Sequence, residues 1–137
     1  MVGHIVVGVD GSVHANHALR WAASLGRALG AEVTAVHAVG LLEAQEERLG
    51  DASAAASATP SWWRPTEAPD VARLLVLDGD PVSVVLRSAE ELGADLIVVG
   101  SRGMGDRPEL LLGSTSTQVA QRAAVPVVVV PPRDEGL

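Results

Sequence analysis

The sequence predicts an α/β fold: a five-stranded parallel doubly wound sheet of order 3-2-1-4-5, Rossmann-like, in one domain over 1–137. Three observations point there. Short β-branched runs alternate with stretches whose apolar residues recur at helical spacing. Glycine, proline and capping residues mark the junctions between them. The composition is 47% hydrophobic with no Phe and no Tyr, so the core must be aliphatic and alanine-rich. Such residues suit helices packed closely on a parallel sheet. At 137 residues, folding hides roughly two-thirds of the unfolded surface, enough for a core of this kind.

Ile5-Val6-Val7-Gly8-Val9 reads as strand one, ended by the turn Asp10-Gly11-Ser12. Ala15, Ala18, Leu19, Ala22, Leu25 and Leu29 then fall at helical spacing, with Ser12 or Asn16 to cap the start and Gly30 the end. Strand two runs from Glu32 to Val39 and strand three from Arg73 to Leu77. Asp80 as N-cap and Pro81 at the first helical position open a helix whose inner stripe is Val82, Val85, Leu86, Ala89 and Leu92. Leu96 to Val99 is strand four, a helix through Ala124 follows the glycine loop, and Val127 to Val130 is strand five. Residues 40–72 form an irregular or lid-like crossover: Leu41 to Leu49 is helical in pattern and Asp51 to Pro60 is Ala/Ser-rich. Trp62 and Trp63 cannot both face one core from a helix, so at least one packs under a loop or against a partner.

The charge balance narrows the function. Net charge is −7, which disfavours a sequence-independent grip on nucleic acid. All ten basic residues are Arg, and there is no Lys and no Cys. Thiol catalysis, thiolate metal sites and disulfides are therefore excluded. No apolar run reaches the length of a membrane span, and strand one begins without a charged leader, so the expectation is a cytoplasmic protein with no membrane partner. His14 and His17 stand three apart on a helix, a usable ligand pair, but no third ligand accompanies them. Exposed helix positions explain them more simply.

The strongest functional signal lies between strand four and the last helix. Gly100-Ser101-Arg102-Gly103 is followed by nine residues and then Gly113-Ser114-Thr115-Ser116. Glycines let a backbone approach an anion closely, and the first amides of a helix point at it. Strand order places this loop across from Asp10, at the point where the sheet's winding reverses and ligands of such folds bind. Asp10 has two readings, a ligand contact or plain turn chemistry.

The spacing G-2x-G-9x-G-[S/T] resembles the nucleotide-binding signature of the universal stress protein family. Val7-Gly8-Val9-Asp10-Gly11-Ser12, Val36-His37-Ala38, Gly79-Asp80-Pro81, Ala94 to Gly103 and Ala124 to Val130 are similar to its other segments. The resemblance covers nearly the whole chain. It implies ATP, or ADP or AMP, with adenine beside Gly8, Val9, Asp10 and the backbone of Ala38. Gly100, Ser101, Arg102, Gly103, Met104 and Gly105 would follow the ribose and phosphates. Gly113, Ser114, Thr115 and Ser116 would meet the phosphate end. Asp10 would lie near the ribose or near Mg or Mn carried by the phosphates. It also implies a homodimer through Val127, Val128, Val129 and Val130, an apolar edge strand that needs pairing or cover. The loop interior departs from the family in Asp106, Pro108 and Glu109; carboxylates facing phosphate would weaken binding, and Arg102 and Arg107 would offset them.

Other classes fit less well. A P-loop needs a lysine on the phosphates, and none exists. A response-regulator receiver needs an acidic pair after strand one, where Asp10 stands alone, and a flavodoxin-like site needs aromatics on the flavin. No nucleophile–base–orienter set appears. The leading expectation is a nucleotide-dependent regulatory stress-response module. The alternatives are a slow ATPase and a dimeric protective or scaffold protein that has lost nucleotide binding.

Overall fold

The computed structural model describes residues 2–39, 59–63, 70–71, 73–102 and 113–131. The expected helix Leu41–Leu49, most of the Ala/Ser-rich stretch, and the loop residues Gly103, Met104, Gly105, Asp106, Arg107, Pro108 and Glu109 lie outside them. The described chain contains β1 (His4–Gly8), α1 (Val13–Leu29), β2 (Glu32–Val39), β3 (Arg73–Asp78), α2 (Pro81–Leu92), β4 (Leu96–Gly100), α3 (Ser114–Arg122) and β5 (Val127–Val130). The strands form one sheet in the order β3-β2-β1-β4-β5, every pair parallel.

Strand alternation builds two cores. Ile5, Val7 and Val9 of the β1 segment, Val33 and Ala35 of β2, and Leu96 and Val98 of β4 face α1, meeting Ala15, Ala18, Leu19 and Ala22. The intervening residues Val6, Val36, Ile97 and Val99 face the other side, against Val82, Val85 and Ala89 of α2 and Val119 of α3. The central strands β1 and β4 are buried and apolar on both faces, as burial between two helical layers requires. Fully burying a valine or isoleucine contributes about 1.5–3 kcal/mol, so the central strands anchor the fold.

Caps explain the helix limits. The Ser12 hydroxyl accepts from the Ala15 amide at 3.1 Å, so Ser12 rather than Asn16 opens α1. That cap starts the helix at Val13, two residues ahead of the apolar stripe; Val13 is exposed and so adds nothing to the stripe. Asp80 accepts from the Ser83 amide at 3.0 Å and opens α2 with Pro81 next to it. That amide holds the Asp80 carboxyl below the usual range. Left-handed glycines, Gly30 and Gly93, close α1 and α2. The last helix stops at Arg122 and not at Ala124. Ala123 is already extended, and Pro126 has no amide to continue a helix with. At the opposite end of the sheet Asp95 accepts from the amides of Gly3 and His4, at 2.8 and 3.1 Å. The Gly3 amide, with the His4 amide after it, draws the Asp95 carboxyl below its ordinary value.

Gly26 shows how tightly α1 lies on the sheet. A side chain there would start 2.5 Å from a Val33 methyl and 3.0 Å from the Ala31 carbonyl oxygen. Gly26→Ala is therefore expected to lower stability by about 1–3 kcal/mol through overpacking. The helix-propensity gain of about 1 kcal/mol works in the opposite direction and does not win. A lower midpoint in urea unfolding checks this; a raised midpoint contradicts it.

Residues 59–63 contain a turn rather than a helix, with the Trp63 amide bonded to Pro60 O at 3.1 Å. Both tryptophans pack, half-buried, against the α1-side core. The helical restriction on neighbouring side chains does not apply in a turn, so both reach one face. β5 lies at the sheet edge with all four valines half-buried. Among the described residues no helix is long and apolar enough to cross a membrane.

Candidate functional site

The first crossover carries α1 over one face of the sheet, and β4–α3–β5 winds onto the other. Between these turns, at the carboxyl ends of β1, β2 and β4, the surface opens into a crevice of about 360 Å³. Gly8, Val9, Val36, Ala38, Val99 and Gly100 come from the strand ends, Pro81 and Val85 from the start of α2, and Ser114, Thr115 and Ser116 from the start of α3. Asp10 and Arg102 bring one charge of each sign to the same walls.

The strand ends shape one wall. The last β1–β2 register pair is Gly8 with Val36, and Val36 O accepts from the Val9 amide at 2.9 Å. Backbone groups two residues apart on a strand point to the same neighbour. Ala38 therefore directs its N–H and C=O to the β1 side, beyond the point where β1 has turned away. The Asp10 carboxylate accepts from the Ser12 amide at 2.8 Å, holding that turn. Asp10 thus combines the turn chemistry expected of it with a place in the crevice.

Gly100 allows the opposite wall to close. A side chain at this position would begin 2.9 Å from the His14 carbonyl oxygen and 3.3 Å from the Ala15 amide nitrogen. The end of β4 thus lies directly on the first turn of α1. Ser101 follows as a buried joint: its amide bonds Val130 O at 2.9 Å, and its carbonyl accepts from the Gly113 amide and the Ser116 hydroxyl. It ties β4, β5 and α3 together and is not among the crevice walls.

Gly113 is the N-cap of α3 and has no side chain with which to bond the helix's first amides, and Ser114, Thr115 and Ser116 of that first turn line the crevice. Two hydroxyls near this end serve the backbone. Ser116 Oγ lies 3.0 Å from Ser101 O and 3.1 Å from Gly113 O, and Thr117 Oγ1 donates to Gly113 O at 2.9 Å. Ser116 is 2% exposed and has one proton to give, so it acts as a staple for the helix start, leaving Ser114 and Thr115 as the crevice hydroxyls.

The crevice also includes Ala15, Val36, His37, Pro81, Val85 and Val99, which in the sequence carry only strand and helix signals. They sit where an element both packs inward and ends at the sheet's rim. Pro81 immediately after Gly79-Asp80 was the available signal, since it fixes α2's start beside the strand ends. Among the described residues no group of three or more His, Asp or Glu could hold a metal ion. The walls combine an apolar slot, an exposed backbone edge, a helix N-terminus and an Arg. That set suits a flat heterocycle carrying an anionic group.

Comparison with known proteins places this arrangement. A model of the universal stress protein family matches residues 1–131. A Thermus aquaticus universal stress protein is 35% identical over 137 residues, covering 92% of this chain and 96% of its own. A Bacillus subtilis universal stress protein, YxiE, is 42% identical over 59 residues, and the match spans 40% of that protein. A Mycolicibacterium smegmatis relative is 33% identical over 140 residues, a match that covers 92% of this chain and 47% of that protein's length. Among solved structures, UspA from Lactobacillus plantarum superposes with a TM-score of 0.77 at 26% identity, covering 94% of this chain and 97% of that one. The Archaeoglobus fulgidus universal stress protein in complex with dAMP gives 0.65 at 28% identity, over 95% and 99% of the two chains. A universal stress protein in complex with cAMP gives 0.67, also at 28%, over 96% and 98%. The chain belongs to the universal stress protein family.

Proposed function

We propose that this chain is an adenine-nucleotide-binding regulatory protein of a stress response, with ATP as its leading ligand and ADP or AMP as alternatives. The observation that carries the reading is the pairing of two recognition elements in one crevice: the Ala38 backbone edge and the α3 N-terminus. An N–H beside a C=O complements N1 and the N6 amino group of adenine. Val36, Val85 and Val99 supply apolar walls for a base. The amides at Ser114 and Thr115, with Arg102, supply a cation-like end for phosphate. The dAMP and cAMP complexes of relatives at 28% identity support the same class of ligand.

Gly8, Val9, Asp10, Ala38, Gly100, Arg102, Gly113, Ser114 and Thr115 are the contact residues under this reading. Ser101 and Ser116 act beneath them as supports. Asp10, next to the nucleotide, fits a Mg or Mn ion carried on phosphate oxygens, since hard cations take oxygen ligands. Binding rather than turnover is the proposed activity. A slow ATPase would be distinguished by steady ADP release from added ATP.

Under this proposal the signal is read through a cytoplasmic homodimer. Val127, Val128, Val129 and Val130 form a four-residue apolar edge, and pairing that edge with a second copy removes it from solvent. Sedimentation at micromolar concentration is expected to show a dimer that Val128→Lys converts to monomer. A monomer at that concentration in the unaltered protein contradicts the dimer proposal.

The nucleotide claim is tested by thermal unfolding with ATP, ADP and AMP in magnesium. Ligand at a hundredfold its Kd stabilises by about 2.7 kcal/mol. No response to any of the three at millimolar concentration contradicts the reading.

A further inference from the structure

We propose that His37 is the positioning residue that sets base selectivity in this crevice, and that Trp62 holds it in place. The inference rests on the nucleotide reading above and adds a mechanism for choosing adenine. In a continued parallel ladder the Val9 carbonyl would accept from the Ala38 amide, because the Val9 amide already bonds Val36 O. The His37 ring bonds that carbonyl from the α1 side of the sheet: Nδ1 lies 3.0 Å from Val9 O. A carbonyl only accepts, so Nδ1 carries the proton and donates it. No backbone bond from Ala38 to Val9 forms among the described residues. A carbonyl can accept twice, so the ring does not exhaust Val9 O. It ties the end of β1 on the α1 side, where the β1–β2 register has already stopped at Gly8 and Val36. The Ala38 N–H is left for a ligand, with the Ala38 C=O beside it.

Trp62 fixes the ring. Its indole meets His37 edge to face, with centroids 4.9 Å apart and planes at 86°. The same indole rests on the Asp10–Gly11 turn, with ring atoms 3.0 Å from where a Gly11 side chain would begin. Trp63 backs it at 6.5 Å and 79°. His37 and Trp62 lie on the α1 side of the sheet, whereas Ala38 belongs to the α2 side. Neither ring needs to touch the base. They determine which backbone donor the base finds. Adenine presents an acceptor at N1 and a donor at N6, matching Ala38. Hypoxanthine presents N1–H and O6, the reverse pattern, and leaves both Ala38 groups opposed to like groups.

Calorimetric titration of the full chain with AMP and with IMP tests this. The unaltered protein is expected to bind AMP at least about tenfold more tightly than IMP, the value of one well-made hydrogen bond. His37→Phe keeps a ring against Trp62 but removes the donor. It is expected to weaken AMP binding about tenfold and to bring the AMP/IMP ratio within about threefold of unity. His37→Asn keeps an N–H donor at the same distance from the backbone and is expected to retain most of the ratio. An unchanged ratio in His37→Phe overturns the role of His37 while leaving the nucleotide reading intact. Failure of the unaltered protein to bind either nucleotide overturns both. Amide hydrogen exchange supplies a readout independent of the variants. The Ala38 amide should exchange freely without ligand and become protected with AMP. Protection of that amide in the ligand-free protein equal to that of Val36 overturns the proposal.

Discussion

Gly100→Val is expected to destabilise the protein by about 3 kcal/mol or more, and Gly100→Ala by about 1–3 kcal/mol. The neighbour that a new Cβ would meet is the His14 carbonyl oxygen at 2.9 Å, backbone in the first turn of α1. Backbone in a helix cannot rotate aside as a side-chain tip can. Relief therefore requires α1 and the end of β4 to separate. That movement also displaces Val99, Gly100 and Arg102 from the crevice wall they share with Asp10, so nucleotide affinity should fall with stability. Urea unfolding monitored by circular dichroism gives the first quantity and calorimetric titration with ATP the second. A Gly100→Val protein with unchanged midpoint contradicts the close packing of β4 on α1.

The second large effect separates binding from folding. Thr115→Asp places a carboxylate in the first turn of α3, on the crevice wall. Negative charge at a helix N-terminus is favourable by about 0.3–1 kcal/mol, so stability should hold or rise slightly. A phosphate at the same place would meet like charge. Unit charges about 4 Å apart repel by roughly 1–4 kcal/mol between the dielectric limits of water and a protein surface. An ATP affinity loss of about tenfold or more follows. Adenosine, without phosphate, should be affected little. Equal losses for ATP and adenosine would instead mean that the substitution damaged the fold or the base slot, and would remove the phosphate from the α3 end.

Much of this architecture was legible in the sequence because its signals are local. β-branched runs, Asp80-Pro81 and the terminal glycines Gly30 and Gly93 set the elements, and alternation of strands with helices pointed to a parallel sheet that permits the observed order. Element ends were less legible. Val13 carries no burial signal, and the stop at Arg122 depends on extended backbone at Ala123. The crevice was legible in outline through Asp10, Gly100, Ser114 and Thr115, which line it, whereas Gly113 is not among its walls and Gly103 lies outside the described residues. What could not be read were contacts between distant segments. Ser101 and Ser116 look alike to Ser114 in sequence, yet their hydrogen bonds make them joints, Ser101 behind the crevice and Ser116 within its wall. His37 and Trp62 are 25 residues apart, counted from their numbers, and no local pattern joins them. Pro81 and Val85 read as helix start and core, and only the turn of α2 against the strand ends gives them a second face.

Under the proposed function an adenine nucleotide sits in this crevice between the Ala38 backbone edge and the α3 N-terminus. Titration calorimetry of ATP with magnesium into the purified chain, repeated in excess AMP, tests it most directly. One saturable site per chain is expected, abolished by AMP and weakened about tenfold or more by Thr115→Asp. No heat of binding at millimolar ATP, or binding left unchanged by both AMP and Thr115→Asp, contradicts it.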